Sequence, residues 1–568
     1  MRHWTILAIA TALPASALAQ TPRQTEVSRT RPPEPTTAEI SVRDAMTRTY
    51  IIADDSMEGR DTGRRGGVRS ANYIANELKR LGIEPAGDNG TYFQAIPWLF
   101  RKPDTTSSLE VAGTRLRSGT DFFLLPKLGP ALALGGQPFG GGFQGTDVST
   151  VYGGRIGDST IAPDQVRGKV VIFAPPSTDA TFAFWQRDNL RRYAGAKAIV
   201  IAMLDLGVPQ QFRVGRETYW DANAPLAARP MTVILVTTAA AARILGRPLA
   251  AVTVGSAGSP ISGHASFIDS PAEAPSYNVV GILRGSDAKL RNSYVAVGAH
   301  HDHIGIGRAV DHDSIRAFNA VVRERGADDP QPRQVTEAQR SEIRTILDSL
   351  RAAHGARVDS INNGADDDAS GSVLELEIAE AFAMAPRKPK RSLLFVWHTA
   401  EEKGLFGAQY YSDHPTVPRD SIVAQINMDQ MGRGEPVDKP TGGPNSLVVI
   451  GSRRLSTELG DLAERVNTKP QHAFRFDYSF DKDGDPTNAY CRSDHYMYAR
   501  YGIPVVFFSA AAWHVDYHMV SDEPQYIAYD RMTRIGRYIR DVVGEVADLD
   551  RRPTVDKAKP DPDGLCKQ

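Results

Sequence analysis

Groups that can bind metals or move protons follow several apolar runs in the second half of this sequence. They are His300-His301-Asp302-His303 after 293–299, Glu401-Glu402 after 392–397, Asp429 after 421–427, and Tyr517-His518 after 503–510, with Asp366-Asp367-Asp368 between the first two. Carboxylates and imidazoles gathered in one place repel one another unless cations lie between them. The pattern therefore predicts a site for divalent metal.

The elements that precede these groups should bring them together. From residue 278 onward, apolar strand-like runs alternate with helical patterns such as 370–385, which is typical of an α/β sheet. The carboxyl ends of parallel strands share one edge of such a sheet, where the loops present side chains to ligands. The predicted fold class is α/β, with a mixed, mostly parallel sheet flanked by helices.

Each group taken alone has a simpler interpretation. A single His or Asp after a strand is more often a cap or a surface hydrogen-bonding residue than a metal ligand. Asp366 to Asp368 could complement the dipole of the following helix, and Glu401-Glu402 could be solvated. Ser493-Asp494, before a short helical stretch, is interpreted as an N-cap. The repetition at successive strand ends is what favours one common site.

Composition and charge give no reason to expect nucleic acid or an anionic membrane as a partner. The chain has 568 residues, enough for two hydrophobic cores. It has 66 Lys and Arg against 67 Asp and Glu, and the formal net charge is −1 at pH 7. A balance of this kind provides no electrostatic attraction to polyanions. The oligomeric state is left open.

The N-terminal residues predict export. Residues 1–19 combine Arg2, an apolar stretch and Ala17-Leu18-Ala19, which is the pattern of a cleaved secretory signal peptide. A periplasmic or secreted location is expected, without membrane association after cleavage. Cys491 and Cys566 would then lie in an oxidising compartment, and whether they pair is left open.

Changes in composition and in the pattern of apolar residues divide the rest of the chain. The predicted units are a linker at 20–38, the N-terminal part of the α/β domain at 39–107, a separate β-rich module at 108–268, the main α/β domain at 269–548, and a Pro- and charge-rich tail at 549–568. Residues 308–358 are polar and charged, and they contain a helix signalled by a capping box from Thr336 to Gln339. This segment is interpreted as an insertion.

Five stretches resemble the co-catalytic zinc aminopeptidases and carboxypeptidases of peptidase family M28. They are "GAHHDHIG" (298–305), "NNGADDDASG" (362–371), "TAEEKGLFGAQYY" (399–411), "INMDQMGR" (426–433) and the region from "SDHYMYARYGIPVVFF" to "DYHMVSDE" (493–523). In addition, "GKVVIFAPP" (168–176) resembles the protease-associated (PA) domain that family members carry as an insert. The resemblance implies a peptide substrate and two Zn²⁺ ions per chain.

The same resemblance implies a metal-binding role for five residues. His300 and Asp429 would hold one zinc, Glu402 and His518 the other, and Asp367 would bridge both. A cis peptide bond after Asp367 is also implied.

Three further roles are carried over by position. Asp302 would fix the ring of His300, and Tyr517 would steady the tetrahedral intermediate. Glu401 is the carboxylate left unbound beside the metals, and it would act as the general base that takes a proton from water and returns it to the leaving amine. The nearby His301, His303 and His514 fall outside the family register and are not expected to be ligands.

The family resemblance favours release of N-terminal residues, and other functions stay open. A carboxypeptidase or dipeptidase of the same family would read a terminal carboxylate with arginines that no motif locates. A receptor-like ectodomain would lose ligands that this sequence keeps, and a cyclising acyltransferase on the same scaffold would hold a single zinc. The insertion at 308–358 departs from the family pattern and is expected to wall the substrate cleft.

Overall fold

The computed structural model describes residues 30–125, 140–156, 160–175, 191–206, 216–219, 231–329, 334–434, 443, 445–510, 513–562 and 566–568. The predicted signal peptide at 1–19 lies outside these ranges. No helix within them has the length and apolar character needed to cross a membrane.

A nine-stranded sheet forms the centre of the α/β domain. From one edge to the other its strands are Glu84–Pro85, Ser276–Leu283, Ser392–His398, Tyr294–His300, Ile422–Met428, Val505–Ser509, Ser446–Ile450 and Arg475–Asp477, with Phe93–Ile96 also paired to Ser276–Leu283. The central neighbours from Ser392–His398 to Val505–Ser509 are parallel. Ser276–Leu283 pairs antiparallel with Ser392–His398, and Ser446–Ile450 pairs antiparallel with Val505–Ser509 and parallel with Arg475–Asp477. The predicted fold class is thus confirmed.

Both faces of this sheet are covered. Along the strand Tyr294–His300, Val295 and Val297 enter one apolar core and Ala296 enters the core on the other face. Within the described residues, the α-helices are Val42–Ile52, Arg65–Arg80, Thr238–Leu245, His312–Val322, Glu337–His354, Gly371–Met384, Phe406–Asp413, Thr457–Asn467, His495–Ala499 and Tyr529–Ala547. A strand buried on both faces reads as a continuous apolar run, which is why these strands were visible in the sequence.

The region predicted as a β-rich module at 108–268 contains smaller sheets, one of which includes strands that lie partly or wholly outside these boundaries. One is five-stranded, with the order Phe122–Leu124, Val233–Val236, Ala198–Ala202, Val170–Ala174 and Thr150–Arg155. One has four strands, Thr114–Arg117, Ser108–Val111, Ile261–Ala265 and Phe143–Val148, and one has three, Arg216–Tyr219, Trp98–Pro103 and Phe267–Pro271. Assignment of the region to the PA type, and its boundaries at 108–268, stay predictions.

The segment at 308–358 forms a helical hairpin beside a two-stranded ribbon. The ribbon pairs Ile306–Asp311 with Val358–Ile361, and the helices are His312–Val322 and Glu337–His354. The capping box predicted from Thr336 to Gln339 is present at the start of the second helix. The first helix and the ribbon had no distinct signal in the sequence.

A disulfide joins the C-terminal tail to the α/β domain. Cys491 and Cys566 are bonded, with a sequence separation of 75 residues. Close by, the side chain of Gln568 accepts a hydrogen bond from the backbone N–H of Tyr490 at 2.8 Å. The tail is therefore attached to the segment that immediately precedes Arg492 and Ser493.

Candidate metal centre

The strand ends bring the predicted donors together at one edge of the central sheet. His300 is the last residue of its strand, Asp429 directly follows Ile422–Met428, and Glu402 lies four residues after His398. Two groups of side chains result, each with ligand atoms within 4.8 Å of one another: His300, Asp367 and Asp429, and His303, Asp367, Glu402 and His518. Asp367 belongs to both groups.

The first group is completely enclosed by the protein. His300 Nε2 lies 3.2 Å from Asp367 Oδ1 and 3.7 Å from Asp429 Oδ1. The other oxygen of Asp429 accepts a hydrogen bond of 2.7 Å from the hydroxyl of Ser493. Ser493 thereby fixes the carboxylate and leaves Oδ1 facing His300.

The second group uses the opposite oxygen of the shared aspartate. His518 Nε2 lies 2.9 Å from both Asp367 Oδ2 and Glu402 Oε2. Against the effect of burial, these two carboxylates raise the pKa of His518 to about 10. A positive charge is thus favoured beside these two carboxylates.

The side chains fit a pair of metal ions. His300 Nε2, His303 Nε2 and Asp429 Oδ1 are buried and have no hydrogen-bond partner, which is unusual for buried polar atoms unless a metal, water or ligand takes that position. Carboxylate and imidazole donors suit zinc, with one oxygen of Asp367 available to each ion. The peptide bond from Asp367 to Asp368 is cis, as the family resemblance implied.

Asp302 contacts the ring of His300 through its backbone. Its backbone carbonyl, not its carboxylate, accepts the hydrogen bond from His300 Nδ1, at 3.1 Å, while the nearest carboxylate oxygen is 3.6 Å away. The carboxylate instead accepts bonds from the backbone N–H of Glu401 at 3.1 Å and the hydroxyl of Thr62 at 3.0 Å. Asp302 therefore positions both the ligand ring and the loop of the expected base.

The three histidines that were not expected to be ligands separate into two kinds. His301 points away from the centre, with Nε2 2.9 Å from the carbonyl of Tyr277, and His514 pairs with Asp366 at 3.2 Å. His303 lies inside the second donor group, and its Nδ1 is 2.6 Å from Glu402 Oε1. His303 thus contacts an expected ligand, and Gly364 beside it leaves space for the imidazole. That His303 is not itself a ligand stays a prediction.

Glu401 lies beside the donor groups without belonging to either. Its Oε2 is 3.9 Å from His300 Nε2, and the side chain is 11% exposed. Burial raises the pKa of Glu401 well above its ordinary value; the nearby His300 opposes this rise, and the charges of Asp429 and Glu402 add to it. A carboxyl group in such surroundings holds its proton more strongly than an exposed one.

The N-terminal segment supports the centre in a way that sequence reasoning missed. Arg60 is fully buried, and its guanidinium donates to the carbonyls of His301 at 3.0 Å, Gly364 at 2.8 Å and Asp367 at 3.4 Å. It also donates to the carbonyls of Ile52 at 3.0 Å and Asn363 at 2.5 Å. One cation thus ties together two segments that carry ligands.

Asp522 supports the same segment by accepting hydrogen bonds from its backbone N–H groups. Its carboxylate accepts hydrogen bonds from the backbone N–H groups of Asp366 at 3.0 Å and Asp367 at 3.1 Å.

Asp494, predicted to be an N-cap, makes no capping hydrogen bond. Its carboxylate lies 3.3 Å from His398 Nδ1 instead, so that prediction is wrong because a buried imidazole lies within reach.

A pocket opens next to the donor groups. Asp367, Glu401 and Asp429 line one side of it, and its apolar lining consists of Ile450, Ala489, Phe507 and Trp513. Arg492 and Tyr517 also line the pocket, together with Gln430, Ser493 and Ser509. The ring of Tyr517 stacks on that of His518, with the ring centroids 3.9 Å apart.

Comparisons with known proteins find similarity over parts of this chain. Residues 347–543 match the family model described as Peptidase family M28. Leucine aminopeptidase 1 of Fusarium vanettenii is 27% identical over 260 residues, which cover 42% of this chain and 63% of the relative. Leupeptin-inactivating enzyme 1 of Streptomyces exfoliatus is 38% identical over 85 residues, or 14% of this chain and 19% of the relative. The matches thus span less than two thirds of these relatives.

Solved structures were also found that align with most of this chain. The aminopeptidase from Aneurinibacillus sp. strain AM-1 is 17% identical, with a TM-score of 0.46, over 92% of this chain and 97% of its own.

Proposed function

We propose that this chain, whose residues 347–543 place it in peptidase family M28, is a zinc aminopeptidase that releases N-terminal residues from peptides. The observation that carries the proposal is the sharing of Asp367 between two donor groups, with the unbound carboxylate of Glu401 beside them. A shared aspartate suits a pair of ions, and a free carboxylate next to the pair suits proton transfer.

His300 and Asp429 would hold one zinc, Glu402 and His518 the other, and Asp367 both. When bound, zinc polarises a carbonyl oxygen and lowers the pKa of water. His303, whose Nδ1 contacts Glu402 Oε1, orients that carboxylate so that its second oxygen faces His518.

Glu401 would move the proton in this reaction. It takes the proton of the attacking water and gives it to the amine that leaves, so it ends the cycle as it began. Its backbone is fixed by the bond to Asp302, and the preceding Ala400 N–H donates to Thr62 at 3.0 Å. Tyr517 lines the same pocket and would donate from its hydroxyl to the oxygen that becomes negative.

The charges along the pocket favour the amino end of a peptide. The acidic side chains Glu401 and Asp429 face the pocket together, and a protonated α-amine is attracted to such carboxylates. The apolar lining from Ile450, Phe507 and Trp513 favours an apolar first side chain. Arg492, a guanidinium that lines the pocket, is paired with Asp328, which disfavours recognition of a terminal carboxylate.

Export and the zinc stoichiometry are part of the proposal. A disulfide between Cys491 and Cys566 supports an oxidising compartment, in line with the sequence prediction for residues 1–19. Cell fractionation and sequencing of the mature N-terminus test export.

The decisive experiment is a panel of matched peptides assayed with and without a chelator. Leucine amides with a free N-terminus should be cleaved and their N-acetylated forms should not, and chelation should abolish the cleavage. Metal analysis should find two zinc ions per chain, whereas one would favour the cyclising acyltransferase. Cleavage of N-acetylated peptides from the carboxyl end, or no hydrolysis at all, would overturn the proposal.

A further inference from the structure

The insertion at 308–358 packs against the loop that carries Tyr517 and His518. The backbone N–H of Ala327 donates to the carbonyl of Tyr517 at 3.0 Å. The approach is so close that a Cβ atom on Gly326 would lie 2.5 Å from that carbonyl oxygen. The insertion thus reaches the pocket through its short turn at Gly326–Asp328.

Asp328, at the end of this turn, engages the guanidinium of the pocket. Arg492 Nη1 lies 2.6 Å from Asp328 Oδ2, and Arg492 Nη2 lies 3.0 Å from Asp328 Oδ1. This is a bidentate ion pair, in which each terminal nitrogen of the guanidinium donates to one carboxylate oxygen. The Nη2 atom also approaches the hydroxyl of Tyr517 at 3.4 Å.

We propose that Asp328 is a specificity-determining residue, which keeps Arg492 from binding a carboxylate of the substrate. This inference rests on the proposed function of the site. The pair occupies the end-on fork of Arg492, which its two terminal nitrogens form. A substrate carboxylate that entered the pocket would therefore compete with Asp328 for this fork and meet its negative charge, so neutral substrates are favoured.

A substrate can bring a carboxylate from two sources. One is the side chain of an N-terminal glutamate, and the other is the free carboxyl end of a dipeptide. Two matched pairs separate them: Glu-p-nitroanilide against Gln-p-nitroanilide, and Leu-Gly against Leu-Gly-amide. Because Arg492 lines the pocket that receives the first side chain, we expect the larger effect on the glutamate pair.

The test compares kcat/KM ratios within each pair for three variants. Asp328→Asn removes the charge, keeps the size of the side chain, and frees Arg492, so the Glu/Gln ratio should rise about fivefold, the scale of a partly exposed ion pair. Arg492→Gln should lower that ratio, and combining it with Asp328→Asn should abolish the gain. Asp329→Asn is the matched control, since Asp329 pairs with Arg325 at 2.8 Å in the same insertion.

An unchanged Glu/Gln ratio in Asp328→Asn, or an equal rise in Asp329→Asn, would overturn the proposal. A rise confined to the Leu-Gly pair would overturn the assignment to the first side chain and assign the effect to the terminal carboxylate. The ratios are measured relative to the wild-type chain on the same substrates. If the wild-type chain cleaved none of the four, the proposed function of the site would fail, which is a separate result.

Discussion

Replacement of Arg60 tests whether a residue far from the donor groups in sequence positions the metal centre. Arg60 donates to carbonyls on both sides of the centre, at His301 and at Gly364. Arg60→Met keeps an unbranched side chain but removes these hydrogen bonds. We expect the segments with His300 and Asp367 to lose their relative position, so that both ions bind more weakly.

The size of the effect follows from what the substitution leaves behind. A buried acceptor without a partner costs about 1–3 kcal/mol, and Arg60 serves several carbonyls, so we expect a loss of about 3–5 kcal/mol in the free energy of unfolding. Removing residues that orient metal ligands typically weakens metal binding by about 10–100-fold. Arg60→Lys keeps the positive charge but lacks the guanidinium group that donates to several carbonyls at once. Its metal affinity should therefore lie between those of Arg60→Met and the wild-type chain.

The assay is zinc competition with a chromophoric chelator, at a temperature where thermal melts show every variant to be folded. Arg48→Met is the matched control, because Arg48 is equally buried but is paired with Glu377 and Glu380, outside both donor groups. This control should lose stability and keep its zinc affinity. Wild-type zinc affinity in Arg60→Met, or an equal loss in Arg48→Met, would refute the positioning role.

Three more predictions concern the centre and the tail. Glu401→Gln should keep both ions and lose about 10²–10⁴-fold in kcat, whereas near-normal turnover would exclude it as the base. Asp367→Ala should impair binding of both ions in metal analysis, and loss of a single ion would contradict the shared ligand. Cys491→Ser with Cys566→Ser should lower the unfolding free energy by up to about 4 kcal/mol, since the bridge closes a long loop; a melt that does not change with reductant would contradict this.

The donor residues could be predicted because their chemistry and their strands leave separate signals. A strand that is buried on both faces reads as an apolar run, and the residue after it stands at the edge where ligands bind. His300 and Asp429 were found in this way. The contact of His303 with Glu402 could not be predicted, because no strand fixes the direction of a side chain three residues after His300, and only the space beside Gly364 shows where its ring goes.

The supports of the centre could not be predicted, because they act on the backbone. Arg60 donates to carbonyls and Asp522 accepts from amides, and every residue has a carbonyl to offer whatever its side chain. Metal chemistry restricts the ligand at position 367 to a few residue types, but a buried carbonyl accepts from any donor that the fold brings near. The residue type of an expected ligand can therefore be recognised in the sequence. The residue that supports it, such as Arg60 for the segment at 367, can be recognised only in the folded structure.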